Sequence, residues 1–228
     1  MPEKSLQLKY IDIHTHKASD KEVIQIVDRS GKPCCNDYEQ NYFSIGLHPW
    51  HIQKAKIDDE LMRIVSNIHH KSFLAIGECG LDKICDTDYS LQLSVFKKII
   101  AISEEYKKPL ILHVVKSYNE IIELRKDTKA KQSWIIHGYN GSSQLVAELI
   151  KHGFYLSFGR HLIIKHSKAA KALAQVSMER IFFETDDSDF SIQEIFDIAA
   201  KTFDCNLNQL QSNIAKNFKA VFNQNLKT

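Results

Sequence analysis

Cysteine is scarce in this chain and badly placed for a covalent framework: there are five, two of them adjacent at Cys34 and Cys35, with no Cys-x-x-Cys pair. An odd set without paired spacing excludes a disulfide scaffold and reads as reduced thiols that pack in a cytosolic protein. Long apolar runs are missing too. None approaches the ~20 residues of a membrane span, and Met1 to Lys9 lacks the apolar core of a signal peptide, so a cytoplasmic protein without a membrane partner is expected. Charge of one sign is also lacking, since 30 Lys and Arg face 28 Asp and Glu for a formal +2. Such a balance supplies no global field for a polyanion, so any nucleic acid has to be held by a local patch. No internal repeat, low-complexity stretch or linker interrupts the chain. With 228 residues, 43% of them hydrophobic, it is expected to form a single domain over 1–228.

Short apolar or β-branched runs lie near residues 8–13, 23–27, 42–46, 73–77, 110–113, 134–137, 154–158 and 181–184. Helical patterns separate the later ones. Over 90–106 the residues Leu91, Val95, Phe96, Ile99, Ile102 and Ser103 share a face, and over 142–152 Leu145, Leu149 and Ile150 do the same. Strand, helix, strand implies parallel pairing through right-handed crossovers. Between the second and third strands, however, the short stretch Gly31 to Asp37 leaves no room for a helix, because a crossover needs at least ~10–12 residues. The pattern therefore predicts an incomplete (β/α)8 TIM-type barrel whose first helices are missing or reduced to loops. Two helices over 191–222 are expected to close it.

Six side chains able to bind metal stand where these strands end: His14, His16, Glu78, His113, His137 and Asp186. In a barrel the carboxyl ends of the strands share one face, so ligands scattered through the sequence can gather around one ion or a pair. His14 and His16 are two apart on a strand and point the same way, with Asp12 one step deeper. A carboxylate has two oxygens and can bridge two cations, which a neutral imidazole cannot, so Glu78 is the expected bridge. Gly77 and Gly80 permit close backbone approach beside it. His113 and His137 end apolar runs where an unpaired imidazole is costly. Glu184 and Asp186 share even spacing; Asp186, nearer the rim, is read as the ligand, with one of the two free to orient a neighbour. His69, His70, His152, His161 and His166 are read as packed or solvated. His48 and Trp50 follow another strand end, and their reading stays open between a substrate contact with a stacking ring and a Pro-Trp lid over the barrel mouth.

Taken in order, Asp12 to His16, Gly46-Leu-His-Pro49, Gly77 to Asp82, Lys108 to His113, Ile136 to Gly141, Glu184 to Asp186 and Asn217 to Phe222 resemble the TatD-related metal-dependent deoxyribonucleases, within the amidohydrolase-like barrels. The resemblance covers nearly the whole chain. It implies that His14, His16, Glu78 and Asp186 hold one divalent ion, that Glu78, His113 and His137 hold a second, and that Mg²⁺ or Mn²⁺ supports 3′-end trimming of DNA. Histidine-rich coordination also accepts Zn²⁺. A two-metal centre suits phosphodiester hydrolysis, with Asp186 taking the water proton and Glu78 bridging. Partners are then DNA ends or a small phosphodiester, with no obligate protein partner.

The chain departs from that family at several positions. Lys83 replaces an aromatic pair, the family's arginine two residues beyond the histidine is absent because His113 is followed by Val114-Val115-Lys116, and Asp187-Ser188 replace a small residue and a proline. Lys83 and Lys116 are therefore read as substituted phosphate contacts. A runner-up reading is an amidohydrolase or lactonase using the same ions, which the near-zero net charge favours. Against it, no strand-end lysine is placed to bridge, since Glu78 holds that position. A third reading, a non-catalytic barrel, conflicts with six retained ligands.

Overall fold

The computed structural model describes residues 9–18, 22–32 and 41–224. Eight strands form one parallel sheet in sequence order: β1 Tyr10–Thr15, β2 Val23–Asp28, β3 Tyr42–Ile45, β4 Phe73–Asp82, β5 Leu110–Val115, β6 Trp134–Ile136, β7 Phe154–Phe158 and β8 Ile181–Phe183. Every strand expected from the sequence is present. The strands are aliphatic and aromatic nearly throughout because a parallel sheet is covered on both faces. All ten residues of β4 are buried.

The ring is nearly closed, and its seam lies between β1 and β8. There Asp186 bridges to β1: its amide donates to the His14 carbonyl at 2.9 Å, and its carbonyl accepts from the His16 amide at 3.0 Å. One layer below, the Asp12 carboxylate accepts from the Thr185 amide at 3.1 Å and from the Thr185 hydroxyl at 2.7 Å. Burial pushes Asp12 up to about 7, with the Thr185 bonds pulling the other way. The seam is thus tied by one isolated backbone bridge and by side chains where a regular ladder is absent.

Among the described residues no helix lies between β1 and β2 or between β2 and β3; the first, α1 Ile57–Asn67, follows β3. Only residues 16–22 join the parallel pair β1 and β2, too few for a helical crossover. Arg63 on α1 takes part of the missing packing role, donating to the carbonyls of Arg29 and Lys32 at 2.5 Å each and so anchoring the turn after β2. Cys34 and Cys35 lie outside the described residues, while Cys79, Cys85 and Cys205 are free thiols.

The other helices are α2 Tyr89–Tyr106, α3 Tyr118–Thr128, α4 Ser143–Lys151, α5 Lys168–Leu173, α6 Ile192–Thr202 and α7 Leu207–Phe222. The buried faces of α2 and α4 are turned slightly from those expected. On α2 Gln92 and Ile100 are buried, leaving Leu91 and Ile102 at the flank; on α4 Val146 joins Leu149, leaving Leu145 and Ile150 half-buried. Gln92 explains the first shift: a polar residue goes inside because its side chain accepts from the Asp82 amide and donates to the Asp82 carbonyl, pinning the end of β4. The two closing helices each start with a reciprocal cap, Ser191 with Glu194 and Asn206 with Gln209.

Candidate metal centre

Each strand delivers its functional side chain at its carboxyl end, so the groups meet at one mouth. Glu78 stands at the middle. Its Oε1 lies 2.7 Å from His137 Nε2, 2.9 Å from His113 Nδ1 and 3.0 Å from His48 Nε2, while its Oε2 faces His14 Nε2 at 3.4 Å and His16 Nε2 at 3.7 Å. Burial alone would raise the Glu78 carboxyl, but the charge of His137, the hydrogen bonds from His113 and His137 and the nearby His14 ring outweigh it and hold the group well below the usual range. Two glycines allow this crowding. A Cβ on Gly46 would lie 2.4 Å from the Glu78 carbonyl oxygen, and one on Gly80, at φ +140°, would lie 2.1 Å from the His113 carbonyl oxygen.

Asp186 approaches the same space from β8, with Oδ1 3.4 Å from His16 Nε2 and 3.6 Å from His14 Nε2. Burial would raise its carboxyl, yet the His16 hydrogen bond and the charges of His137 and His14 hold it at about 2. Its φ of 56° is left-handed, a conformation that aspartate tolerates better than most side chains.

A ring of acids behind the histidines fixes which nitrogen faces inward. Glu184 Oε1 accepts from the Gly138 amide at 2.6 Å and lies 3.3 Å from His137 Nδ1. Asp82 Oδ2 lies 3.1 Å from His113 Nε2 and also accepts the Trp50 indole N–H at 2.7 Å. Asp28 stands 3.4 Å from His16 Nδ1. With the outer nitrogens donating to these acids, Nε2 of His137 and Nδ1 of His113 are the atoms turned to Glu78, and their lone pairs would be free for a cation in place of the protons they share with the carboxylate without one. His48 is set the other way. Its Nδ1 accepts from the Trp50 amide at 3.1 Å, so its proton sits on Nε2 and points at Glu78. Asp82→Asn is expected to weaken metal retention by roughly 10–100-fold, the usual scale for losing such a supporting carboxylate. Competition against a chromophoric chelator measures this, and an unaltered affinity would remove Asp82 from the centre.

The donor set fits a cation. Three groups have ligand atoms within 4.8 Å of one another: His14, His16 and Asp186; His14, Glu78 and His137; His48, Glu78 and His113. His14 is fully buried, and among the described residues neither ring nitrogen has a hydrogen-bond partner of good geometry. An imidazole left so in the interior is costly unless something absent from the protein chain completes it.

The six strand-end residues read from the sequence are therefore brought together: His16, Glu78, His113, His137 and Asp186 line a cavity of about 370 Å³ with His48 and Trp50, and His14 is fully buried against Glu78 and Asp186. Lys83 and Lys116 do not line it. Lys83 pairs with Glu120 and stands 5.6 Å from the centre of the Tyr89 ring, and Lys116 is exposed at φ 51°. The cations that border the cavity are Lys32, after β2, and Arg160, after β7. Lys32 Nζ reaches the His16 carbonyl at 3.3 Å, and Arg160 Nη1 pairs with Asp187 at 2.5 Å. Sequence reasoning passed over both, along with Asp28 and Asp82. The acids carried the same signal as the ligands, each closing an apolar strand; the two cations, lying in loops, carried none. A smaller chamber of about 240 Å³ opens beside the cavity, bordered by Trp50, Val115, Gly138, Gly159 and Arg160 among others.

Residues 29–223 match the family described as TatD related DNase. An uncharacterized metal-dependent hydrolase of Methanocaldococcus jannaschii is 29% identical over 203 residues, covering 78% of each chain. Another from Buchnera aphidicola is 33% identical over 146 residues, 63% of this chain and 54% of that one. The human 3′-5′ RNA nuclease TATDN2 is 28% identical over 153 residues, 63% of this chain but 19% of its own length. Among solved structures, the TatD homologue YJJV of Escherichia coli shares the fold at a TM-score of 0.81 and 17% identity, over 96% of this chain and 99% of that one. No helix among the described residues is long and apolar enough to cross a membrane.

Proposed function

The chain belongs to the TatD related DNase family and is a metal-dependent hydrolase, and on that premise we propose that it hydrolyses phosphodiester bonds at nucleic-acid ends, DNA in the first instance, as one barrel domain over 1–228. The observation that carries this reading is the division of Glu78: one oxygen faces the histidines of β1 and the other faces those of β3, β5 and β6. That division suits a bridge between two divalent ions, one with His14, His16 and Asp186 and one with His113 and His137.

When bound, such a pair supplies Lewis-acid charge on the phosphodiester and makes water a usable nucleophile near neutral pH. Mg²⁺ or Mn²⁺ is proposed for activity, and the imidazoles would also accept Zn²⁺. The protein's own groups do the rest. Asp186, ionised far below neutral pH, takes the proton of the attacking water. His48 offers its Nε2 proton toward a phosphate oxygen. Arg160 and Lys32 supply positive charge at the cavity wall, where Lys83 and Lys116 do not reach. Trp50, 60% exposed with its indole N–H held by Asp82, is a ready stacking surface.

A small amide or lactone is the second reading, favoured by the low formal charge of +2. Metal-loaded protein offered single-stranded DNA, single-stranded RNA, a simple phosphodiester and an amide and lactone panel separates the two. Turnover of nucleic acid and phosphodiester is expected; turnover confined to the amides or lactones would overturn the nuclease reading.

A further inference from the structure

The proposed chemistry leaves the side chamber of about 240 Å³ without a role. It is continuous with the metal cavity, because Trp50, His113, His137, Arg160 and Asp186 border both. Its size is below the roughly 300–1,000 Å³ of pockets that take a drug-sized ligand, so it suits one ring system. Val115, two residues beyond His113 on β5, faces the same way as that histidine and forms an apolar wall. Gly138 and Gly159 contribute backbone without side chains, and the exposed Trp50 ring is fixed in place by its 2.7 Å bond to Asp82.

Two polar features distinguish the chamber from a merely greasy pocket. Glu184 borders it, is fully buried, and has an oxygen, Oε2, with no hydrogen-bond donor among the described residues. Arg160 stands at the junction of the two spaces, its guanidinium paired with the exposed Asp187. A planar guanidinium there suits a phosphate that joins a ring in the chamber to an ester in the metal cavity.

We infer that the side chamber is a nucleoside subsite: the base lies against Trp50 between Val115 and the two glycines, and its attached phosphate sits in the metal cavity beside Arg160. This rests on the phosphodiesterase reading above. It makes the enzyme a reader of the nucleotide next to the cleaved bond.

Metal-loaded protein is assayed with thymidine 5′-(p-nitrophenyl phosphate) and methyl p-nitrophenyl phosphate, which share the reacting group and differ in the nucleoside. The kcat/KM ratio is expected to favour the nucleoside ester by about tenfold or more, the effect of stacking one base. Val115→Trp, which fills the chamber, should bring that ratio near one, and Arg160→Ala should lower kcat/KM for the nucleoside ester chiefly through KM. Equal turnover of both esters by the unaltered chain, or a preference that survives in a folded Val115→Trp protein, would overturn the subsite. Turnover of neither ester would overturn the phosphodiesterase reading instead. The subsite is then judged by calorimetry with thymidine 5′-monophosphate against inorganic phosphate: tighter binding of the nucleotide supports it, and equal binding overturns it.

Discussion

Glu78→Gln is expected to abolish hydrolysis, with kcat/KM falling on the order of 10³-fold, the upper range for removal of one preorganised electrostatic group. Glutamine keeps the shape and one carbonyl oxygen but loses the charge and the second anionic donor. In the metal-free protein the carboxylate already balances His137, His113 and His14, and its carboxyl is held well below the ordinary range by them. An amide in its place leaves those rings facing each other. Metal content should therefore fall together with activity, from roughly two equivalents to about one or fewer, if the two ions of a bridged pair share this ligand. Elemental analysis after gel filtration, read beside turnover, gives both numbers. Full activity at unchanged stoichiometry would remove Glu78 from the bridging position.

Asp186→Asn is expected to lower turnover by about 10²–10⁴-fold, the span found when a positioned proton acceptor is removed. Asparagine tolerates the left-handed backbone at this position, where φ is 56°, so the change is one of charge and basicity. The same substitution has a pH signature in metal-stripped protein. The Asp186 carboxyl is depressed from 3.8 to about 2 in the folded state, so its contribution is fully present above its unfolded value and is lost as pH falls through the folded value. The difference between the original chain and Asp186→Asn should be roughly 2 kcal/mol at pH near 5 and should close toward pH 2. Denaturant unfolding at several acidic pH values measures it. A gap that does not narrow with acid would mean that the His16 and His137 contacts do not stabilise the carboxylate.

Much of this centre is legible in the sequence, because a parallel barrel converts a position in sequence into a position in space. His14, Glu78, His113 and His137 each end an apolar run, and every such run is a strand whose carboxyl end opens on the same mouth. Asp28 and Asp82 obey the same rule but carry no signal alone, since a lone acid after a strand reads as a turn residue until the histidine beside it is known. Lys83 and Lys116 illustrate the limit. They are close in sequence to Asp82 and His113, but once the chain leaves a strand the pleat no longer sets direction: Lys83 turns to Glu120, and Lys116 enters the turn at φ 51° and ends exposed. Arg160 and Lys32 occupy the wall through loop geometry that periodicity does not encode.

The seam at Asp186 also sets when the enzyme comes into being. Thr185 and Asp12, the pair that ties β8 to β1, are 173 positions apart, and Asp186 closes the ring with the backbone that carries the first two histidines. During synthesis most of the barrel can therefore emerge and collapse without a working centre, since its first and last strands meet only after nearly the whole chain is available. Contacts of such long range arrive late because the loop entropy is met before they reward it. The groups that could hold a cation at this mouth, His14, His16 and Asp186, are therefore assembled only once β8 has met β1.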